Sequence, residues 1–349
     1  MLDLDHKTIL LTGGTGSFGN AFVDIVTKRW PDAVVRVYSR DELKQSEMRA
    51  KFGEKQVRYL IGDVRDRDRM SRAAQGADIV VHAAAMKQVP ACEYNPFEAV
   101  RTNVLGAQHV VDAAIDAKVQ QVVALSTDKA VNPVNLYGAT KLCAEKIFVQ
   151  GNAYAAQSAT RIACVRYGNV IGSRGSVVPV FRQQLERDGR LTITDERMTR
   201  FWITLPQAVE LVLFALTEME GGEVFVPKIP SMRVVDLAEA MAPGIEREIV
   251  GIRPGEKLHE LLLTGDEARH TLDCGDVYVV LPEHPWWNEQ GSKLFGTPVE
   301  GEFVYASDTN DEWLTVEQLR ELLGTSGERP RGGSRAASAT GHTVPATVA

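Results

Sequence analysis

Hydrophobic positions in the first half of the chain form short apolar runs separated by amphipathic stretches of helical length. The runs have the length of buried strands, whereas segments 18–29 and 103–118 carry apolar residues at helical spacing. This alternation predicts βαβ units and therefore an α/β fold with a doubly wound parallel sheet. The predicted strands are residues 8–12, 34–38, 57–61, 78–82, 122–126 and 161–166.

The pattern changes after about Gly172, where shorter elements rich in Gly and Pro begin. We therefore predict that residues 1–172 form the sheet domain and that residues 173–324 form mainly a second, smaller α/β lobe packed over it. Segment 201–218 is the exception, because it has the pattern of a helix that returns to the first domain. Residues 325–349 almost lack large apolar side chains, so they cannot offset their ordering entropy and are predicted to be a disordered tail.

Composition narrows the class of protein. The 349 residues are 44% hydrophobic and 24% charged, as in ordinary globular proteins, and the net charge of -7 is spread without long like-charge blocks. This argues against nucleic-acid or membrane-surface partners. The four cysteines form no C-x-x-C pair, which favours reduced thiols and predicts no metal site. The acidic start and the lack of a membrane-length apolar run favour a soluble, cytoplasmic protein.

A glycine-rich segment at residues 12–19 follows the first strand and begins the first helix. It contains G-x-G-x-x-G at Gly14, Gly16 and Gly19, and the offset G-x-x-G-x-x-G that begins at Gly13. Glycine lets the backbone turn tightly and approach a pyrophosphate, whose charge then meets the helix N-terminus. Such a match can be a plain tight turn, but the strand-to-helix context favours a dinucleotide site. The candidate contacts are Gly13, Thr15, Gly16, Ser17, Phe18 and Gly19.

The end of the second strand bears on the choice between NAD and NADP, because an acid there binds a ribose hydroxyl and a cation accepts a 2′-phosphate. Arg40, helped by Ser39 and Lys44, favours NADP. The alternative is that Arg40 is solvated and Asp41 binds the ribose of NAD. After the third strand, Asp63 is a candidate adenine contact, or else a cap for the next helix.

Candidate acid–base groups follow the strand at 122–126. Tyr137 and Lys141 lie four residues apart and so share one helix face, where an ammonium and a cationic nicotinamide would lower the pKa of the phenol. That spacing is common on ordinary helices and gains weight only from its position after the glycine-rich segment. Thr127, Asp128 and Lys129 stand at the carboxyl end of the strand, where open α/β sheets bind ligands. A solvated turn pair is the alternative for Asp128 and Lys129.

Several longer strings resemble the inverting UDP-N-acetylglucosamine 4,6-dehydratases of the pseudaminic acid pathway, in the extended short-chain dehydrogenase/reductase superfamily with its Rossmann fold. The similarity covers roughly residues 5–285. Retaining hexose 4,6-dehydratases are less similar, because they carry Thr-Asp-Glu where this chain has Thr-Asp-Lys ending at Lys129. The matching strings are YSRDELKQSEM at 38–48, STDKA at 126–130, NLYGATK at 135–141, RYGNV at 166–170 and RPGEK at 253–257.

The resemblance implies a reaction in which water is eliminated and NADP is regenerated, with no net redox change. Tyr137 would take the proton of the sugar 4-OH, with Lys141 and Thr127 tuning and orienting it. Asp128 would protonate the departing 6-OH, and Lys129 would exchange protons at C5. Acting as a base requires a partly neutral Lys129, which calls for burial or nearby positive charge.

The resemblance also implies contacts to both ligands. The two arginines among them suit a diphosphate, but either could instead tie the lobes together, and the lysine could be a surface residue. The implied substrate contacts are Lys87, Asn169, Val177, Arg200, Arg253 and Glu256, and Ala83, Ala84, Lys87, Tyr137 and Lys141 would contact the cofactor.

Two other functions share parts of this pattern. A UDP-sugar 4-epimerase would need Tyr137 and Lys141 but no elimination pair, so Asp128 and Lys129 argue against it. An NADP-binding regulatory protein would need none of these groups together. A dehydratase arrested at a 5,6-unsaturated product also remains open. The expected partners are a UDP-sugar and further copies of the chain, as a dimer or a hexamer by resemblance.

Overall fold

The computed structural model describes residues 2–155, 160–173, 175–283 and 296–324, so the predicted tail at 325–349 lies outside the described residues. All six predicted runs form strands, with ends that differ by one residue in places. The strands are β1 Thr8–Thr12, β2 Val34–Ser39, β3 Val57–Ile61, β4 Ile79–His82, β5 Gln121–Leu125, β6 Arg161–Val165, β7 Asn169–Val170, β8 Leu191–Ile193, β9 Thr199–Ile203, β10 Val224–Pro227, β11 Ser231–Arg233, β12 Arg247–Ile249, β13 Leu261–Leu263, β14 Thr271–Asp273, β15 Val277–Val280, β16 Thr297–Pro298 and β17 Tyr305–Ala306.

Helices connect the strands of the sheet and cover its faces. The first residues of the predicted helix at 103–118 belong to a π-helical turn, Val100–Leu105. The α-helix itself begins at Gly106 and ends at Asp116. A short 3₁₀ turn, Asp128–Ala130, follows β5. The α-helices are α1 Ser17–Arg29, α2 Glu42–Phe52, α3 Arg67–Ala74, α4 Val89–Tyr94, α5 Pro96–Ala99, α6 Gly106–Asp116, α7 Leu136–Ala155, α8 Val177–Asp188, α9 Leu205–Glu218, α10 Val234–Met241, α11 Gly265–Ala268 and α12 Val316–Leu323.

The main sheet has ten strands in the order β16-β14-β15-β10-β6-β5-β4-β1-β2-β3. Neighbouring strands are parallel from β3 to β10. The three remaining pairs, β10 with β15, β15 with β14 and β14 with β16, are antiparallel. Strands β1, β4, β5 and β6 are almost wholly buried, because helices cover both faces of a parallel sheet. The order 3-2-1-4-5-6 is that of the Rossmann fold, as the sequence predicted.

The boundary between the two lobes is less simple than the predicted division at Gly172. Strands β10, β14, β15 and β16 belong to the main sheet, although they lie within 173–324. The returning helix α9 packs against α1 but begins only at Leu205, because Thr204 forms a capping box with Gln207. Residues 199–203 are instead the buried strand β9 of the smaller lobe.

The smaller lobe has its own apolar core beside the carboxyl ends of the main strands. It includes Phe181 of α8, Trp202 of β9, Leu237 of α10 and Leu319 of α12. Short pairs, β8 with β12 and β11 with β9, surround this core. The lobe therefore forms a wall opposite the end of the sheet where the predicted reactive residues stand.

Candidate functional site

A cleft of about 860 Å³ lies between the carboxyl ends of the main strands and the smaller lobe. Of the predicted site residues, all but Gly19 and Asp128 line it. Gly19 lies under the glycine-rich segment, and Asp128 is fully buried behind Lys129. The structure thus brings residues from sequence positions 13 to 256 to one site.

The glycine-rich segment forms a tight turn at the N-terminus of α1. Gly13 has a φ of +66°, and a Cβ there would lie 2.7 Å from the backbone nitrogen of Ala84. A Cβ at Gly19 would lie 2.1 Å from the carbonyl oxygen of Gly14, so helix and loop are in direct contact. Gly16 occupies the N-cap position, where it supplies no capping side chain, and the first turn of α1 carries no acid. This bare, positive helix end fits a pyrophosphate.

Charged side chains at the ends of β2 and β3 form an exposed cluster. Arg40 is 59% exposed, and its Nη1 lies 3.7 Å from Oδ2 of Asp63. Asp63 also accepts hydrogen bonds from Arg65, which outweigh the opposing effect of burial and lower the pKa of Asp63. The following helix is capped by Asp66, so the alternative of Asp63 as its cap is wrong.

Asp41 is engaged within its own helix. Its Oδ1 accepts the backbone N–H of Lys44, which caps α2, and its Oδ2 lies 2.5 Å from Lys44 Nζ. Ser39 is buried at the end of β2, where its hydroxyl accepts a hydrogen bond from Gln45. The cation most open to a ligand phosphate at this end of the cleft is Arg40, since Lys44 is held by Asp41.

The acid–base pair stands on the 3₁₀ turn that follows β5. Asp128 is fully buried, and its Oδ1 accepts hydrogen bonds from Thr127 Oγ1 at 2.9 Å and from Lys129 Nζ at 3.0 Å. Its Oδ2 has no hydrogen-bond partner within the described residues. A buried carboxylate oxygen left without a donor is costly, so Asp128 is an unsatisfied group next to Lys129.

The carboxylates around Lys129 favour the charged form of its amine. Burial opposes the charge on this amine, but the carboxylates of Asp128 and Glu260 outweigh burial and raise the pKa of Lys129 above its ordinary value. The side chain keeps a quarter of its surface exposed, and Nζ also lies 3.2 Å from Oδ1 of Asn169. A role of Lys129 as a base requires a partly neutral amine and stays a prediction, because in this structure carboxylates rather than cations dominate its surroundings.

Tyr137 and Lys141 lie on the first two turns of α7, facing the end of β5. Burial raises the pKa of Tyr137 to about 12, although the charge of Lys129 and a hydrogen bond with Thr127 act to lower it. Lys141 donates to the carbonyl of Leu125 at 2.7 Å, and burial lowers the pKa of this lysine. The charge of Lys129 thus acts to lower the pKa of Tyr137, and the tuning of Tyr137 by Lys141 stays a prediction.

The segment at residues 253–257 joins the smaller lobe to the acid–base groups. Asn135 donates to the carbonyl of Gly255 at 2.7 Å and accepts the N–H of Gly138 at 2.8 Å, so the N-terminus of α7 is tied to this segment. Arg253 is 59% exposed and lies 3.6 Å from Glu256. These two side chains reach the cleft beside Lys87, Val177 and Asn169, in a position that suits a diphosphate group.

Arg200 lines the same cleft but has structural partners. Its guanidinium donates to the carbonyls of Thr199, Lys257 and Leu258 at 2.6 to 3.1 Å, and only 8% of the residue is exposed. These bonds fix the chain before β13. Arg200 therefore ties parts of the chain together, as the alternative to a substrate contact expected. A contact between Arg200 and the substrate stays a prediction.

Glu260 lies at the acid–base cluster but is not among the site residues predicted from the sequence. This carboxylate is 2% exposed and lies 3.4 Å from Lys129 Nζ, although the two residues are far apart in the chain. The available signal was an acid standing directly before the apolar run Leu261–Leu263. An acid at the edge of a buried strand is rare unless it is paired.

The described residues also bear on metal binding and on membrane insertion. Across the described ranges, no group of three or more His, Cys, Asp or Glu side chains is arranged to hold a metal ion. None of the helices in the described part of the chain combines the length and apolar character that crossing a bilayer requires.

The fold and the site together define a class of protein: a Rossmann-fold enzyme with a glycine-rich turn at the N-terminus of α1 and a cluster of Tyr, Lys and buried Asp side chains at one cleft. Comparison with known proteins supports this class. The model of the family described as "Polysaccharide biosynthesis protein" matches residues 9–282, and the chain belongs to this family.

Among its relatives, a UDP-N-acetylglucosamine 4,6-dehydratase (inverting) of Campylobacter jejuni is 48% identical over 328 residues, covering 91% of this chain and 98% of that protein. A UDP-glucose 4-epimerase of Rickettsia felis is 41% identical, with 91% of this chain and 95% of that protein covered. Among solved structures, Pen from Bacillus thuringiensis superposes with a TM-score of 0.84 at 40% identity, covering 92% of this chain and 98% of that one.

Proposed function

We propose that this protein is a sugar-nucleotide dehydratase that converts UDP-N-acetylglucosamine to a 4-keto-6-deoxy sugar with inversion at C5. The observation that carries the proposal is the Asp128–Lys129 pair, 3.0 Å apart, in which Lys129 lines the same cleft as Tyr137 and Asp128 lies buried behind it. An epimerase has no use for a second acid–base pair, because it only removes and returns hydrogen at C4. The relative with the higher identity bears the dehydratase name, in agreement with this pair.

For the cofactor we propose NADP. The bare N-terminus of α1 suits its pyrophosphate, and Arg40 supports the 2′-phosphate because it is exposed and has one partner at 3.7 Å. Asp41 already caps α2 and pairs with Lys44, which weakens the case for Asp41 as a ribose ligand. When bound, the cofactor would accept a hydride from C4 of the sugar and return it to C6.

Three side chains would handle the protons. Tyr137 would act as the phenolate: after its own hydroxyl proton has left for solvent, it takes the proton of the 4-OH as C4 is oxidised. The resulting ketone acidifies the proton at C5. Lys129 removes that proton and later supplies one to C5, while the Asp128 carboxyl gives a proton to the departing 6-OH so that water leaves. Before these steps, the proton on Lys129 has to pass to Asp128, which leaves Lys129 neutral and Asp128 protonated. The 3.0 Å contact between the two side chains makes this a short transfer.

Thr127 provides a route by which a proton can return from Tyr137 to Asp128. Its hydroxyl hydrogen-bonds Tyr137 and donates to Asp128 at 2.9 Å. The proton that Tyr137 gains from O4 balances the one that Asp128 gives to O6. A hydrogen-bonded chain through Thr127 therefore links the residue that gains a proton to the one that needs it.

Incubation with UDP-N-acetylglucosamine and mass spectrometry tests the function. The expected product has lost one water, whereas an unchanged mass with an inverted C4 would identify an epimerase instead. Proton NMR of product made in deuterium oxide should show deuterium at C5 with inverted configuration. Retained configuration would contradict the role of Lys129, and an unsaturated 5,6 product without hydride at C6 would identify the arrested reaction.

We also propose that the protein is a homo-oligomer in the cytoplasm. Tyr94 and Phe97, on α4 and α5, are 88% and 77% exposed, and aromatic side chains on a surface favour contact with another protein. Light scattering at several concentrations tests this, and a monomer at every concentration would contradict it.

A further inference from the structure

Glu260 is a buried carboxylate that stands between three cations. Its Oε1 lies 3.4 Å from Lys129 Nζ and 3.8 Å from Arg200 Nε, and its Oε2 lies 3.6 Å from Lys257 Nζ. Only 2% of Glu260 is exposed. Burying an ionised carboxylate is expensive unless cations surround it, so the placement of these groups depends on one another.

Glu260 is fixed from the smaller lobe. Its backbone N–H donates to Ser307 Oγ at 2.9 Å, and this hydroxyl lies 2.7 Å from Thr199 Oγ1 of β9. The next residues form β13, which pairs with β17. Lys129, by contrast, stands on the turn after β5 of the main sheet. The carboxylate therefore reaches from one lobe to the acid–base group of the other.

Lys129 consequently lies between two carboxylates of different origin. Asp128 comes from its own turn at 3.0 Å, and Glu260 comes from the opposite lobe at 3.4 Å. Asp128 is assigned a proton transfer to O6. Glu260 has no such assignment, and its Oε2 has no hydrogen-bond partner within the residues that the structure describes.

We propose that Glu260 is a positioning residue for Lys129: it fixes the ammonium at the cleft and holds the proton on it between turnovers. This inference rests on the proposed function, in which Lys129 exchanges the proton at C5. Glu260 is argued to act through its contact with Lys129.

The electrostatics of the cluster agree with this geometry. Burial acts to lower the pKa of Lys129, Asp128 and Glu260 raise it, and Arg200 lowers it. Removing Glu260 leaves one anion against burial and the nearby cations, so Lys129 should lose its proton at a lower pH. The charged or titratable groups that face Lys129 are Asp128, Tyr137, Arg200, Lys257 and Glu260.

The test is the titration of Lys129 in the full-length protein with Glu260→Gln. Lysine labelled with ¹³C at Cε gives an NMR signal that follows the charge of Nζ, and Lys129→Arg identifies the signal by removing it. The midpoint should fall by about 1 to 3 pH units, the usual effect of one opposite charge at this range. The pH profile of deuterium incorporation at C5 should move down with it. An unchanged midpoint would overturn the proposal.

Two variants guard this result. Glu260→Asp keeps the charge but withdraws it, so its midpoint should lie between wild type and Glu260→Gln; should the Gln variant not fold, a wild-type midpoint in the Asp variant would reject the proposal. Asp308→Asn is the matched control, because Asp308 faces His259 at 3.9 Å and has no contact with Lys129. Its midpoint should equal that of wild type, and an equal fall there would also reject the proposal.

The two proposals fail separately. If the midpoint falls in Glu260→Gln while wild type incorporates no deuterium at C5, Glu260 still positions Lys129 and the proposed dehydration is wrong. If wild type incorporates deuterium but the midpoint does not move, the dehydration stands and the role of Glu260 is wrong.

Discussion

The two ends of the cleft hold similar charges in different surroundings. At the acid–base end, Asp128 is fully buried and lies 3.0 Å from Lys129. At the β2 end, Arg40 is 59% exposed and lies 3.7 Å from Asp63. Exposed ion pairs contribute about 0 to 1 kcal/mol because water and salt screen them, whereas removing one partner of a buried pair costs about 3 to 5 kcal/mol.

This difference separates two ways of using charge. The exposed cations are held weakly by the protein, so they can exchange a protein partner for a ligand phosphate at little cost. The buried groups depend on one another, so each change alters the protonation of its neighbours. Substitutions at the buried end should therefore change the chemistry, and those at the exposed end should change affinity alone.

The largest effect is expected for Tyr137→Phe. The change removes the hydroxyl that takes the proton of the 4-OH, so every later step stops as well. Turnover should fall toward the upper end of the range of about 10² to 10⁴ that a positioned acid–base group supplies. The measurement is single-turnover absorbance of the reduced nicotinamide, with UDP-sugar affinity as the control. Reduction at the wild-type rate would show that Tyr137 is not the base.

A somewhat smaller effect is expected for Lys129→Ala. Loss of the amine should slow overall turnover by about 10² to 10³, while oxidation at C4 persists because Tyr137 is retained. The absorbance trace should show nicotinamide reduction without product release. Lys28→Ala is the matched control, since Lys28 is exposed on the surface of α1 and, among the residues that the structure describes, pairs with Asp24. Near-normal turnover of Lys129→Ala would return the C5 step to another group.

At the exposed end, Arg40→Ala should weaken NADP binding by roughly 10-fold, the effect of losing one exposed contact to a charged group. NAD affinity should change little, because NAD lacks the 2′-phosphate. Titrations of both cofactors measure the difference. Equal losses for NAD and NADP would remove the assignment of Arg40 to the phosphate and reopen NAD as the cofactor.

The smallest expected effect is that of salt, which screens the exposed charges near Arg40 more than the buried charges near Lys129. Raising salt from about 0.1 M to 1 M shortens the screening length from roughly 10 Å to 3 Å. NADP affinity should then fall a few-fold, whereas the titration midpoint of Lys129 should move very little because its partners are buried. The ¹³C titration and a cofactor titration at both salt concentrations check this. Equal sensitivity at both ends would show that the acid–base cluster is not shielded from solvent.

Much of the sheet and half of the site follow from local sequence. Apolar runs such as 8–12 predict strands because a buried parallel strand needs a short continuous apolar segment. The glycines at 14, 16 and 19 predict the tight turn before α1, because at Gly19 the backbone of Gly14 leaves no room for a Cβ. The position of Asp128 and Lys129 directly after β5 places them at the ligand-binding edge of the sheet. Each of these conclusions needs only neighbouring residues.

Tertiary structure decided what depends on residues distant in the chain. The division near Gly172 missed that β10, β14 and β15 complete the main sheet, because sequence pattern gives a strand but not its partner. The same limit hid Glu260, whose carboxylate meets Lys129 only through the packing of the smaller lobe. The charge of Lys129 depends on burial and on the carboxylates of Asp128 and Glu260 together. Electrostatic energy depends on distance and exposure in the folded chain, and neither is encoded in residue spacing.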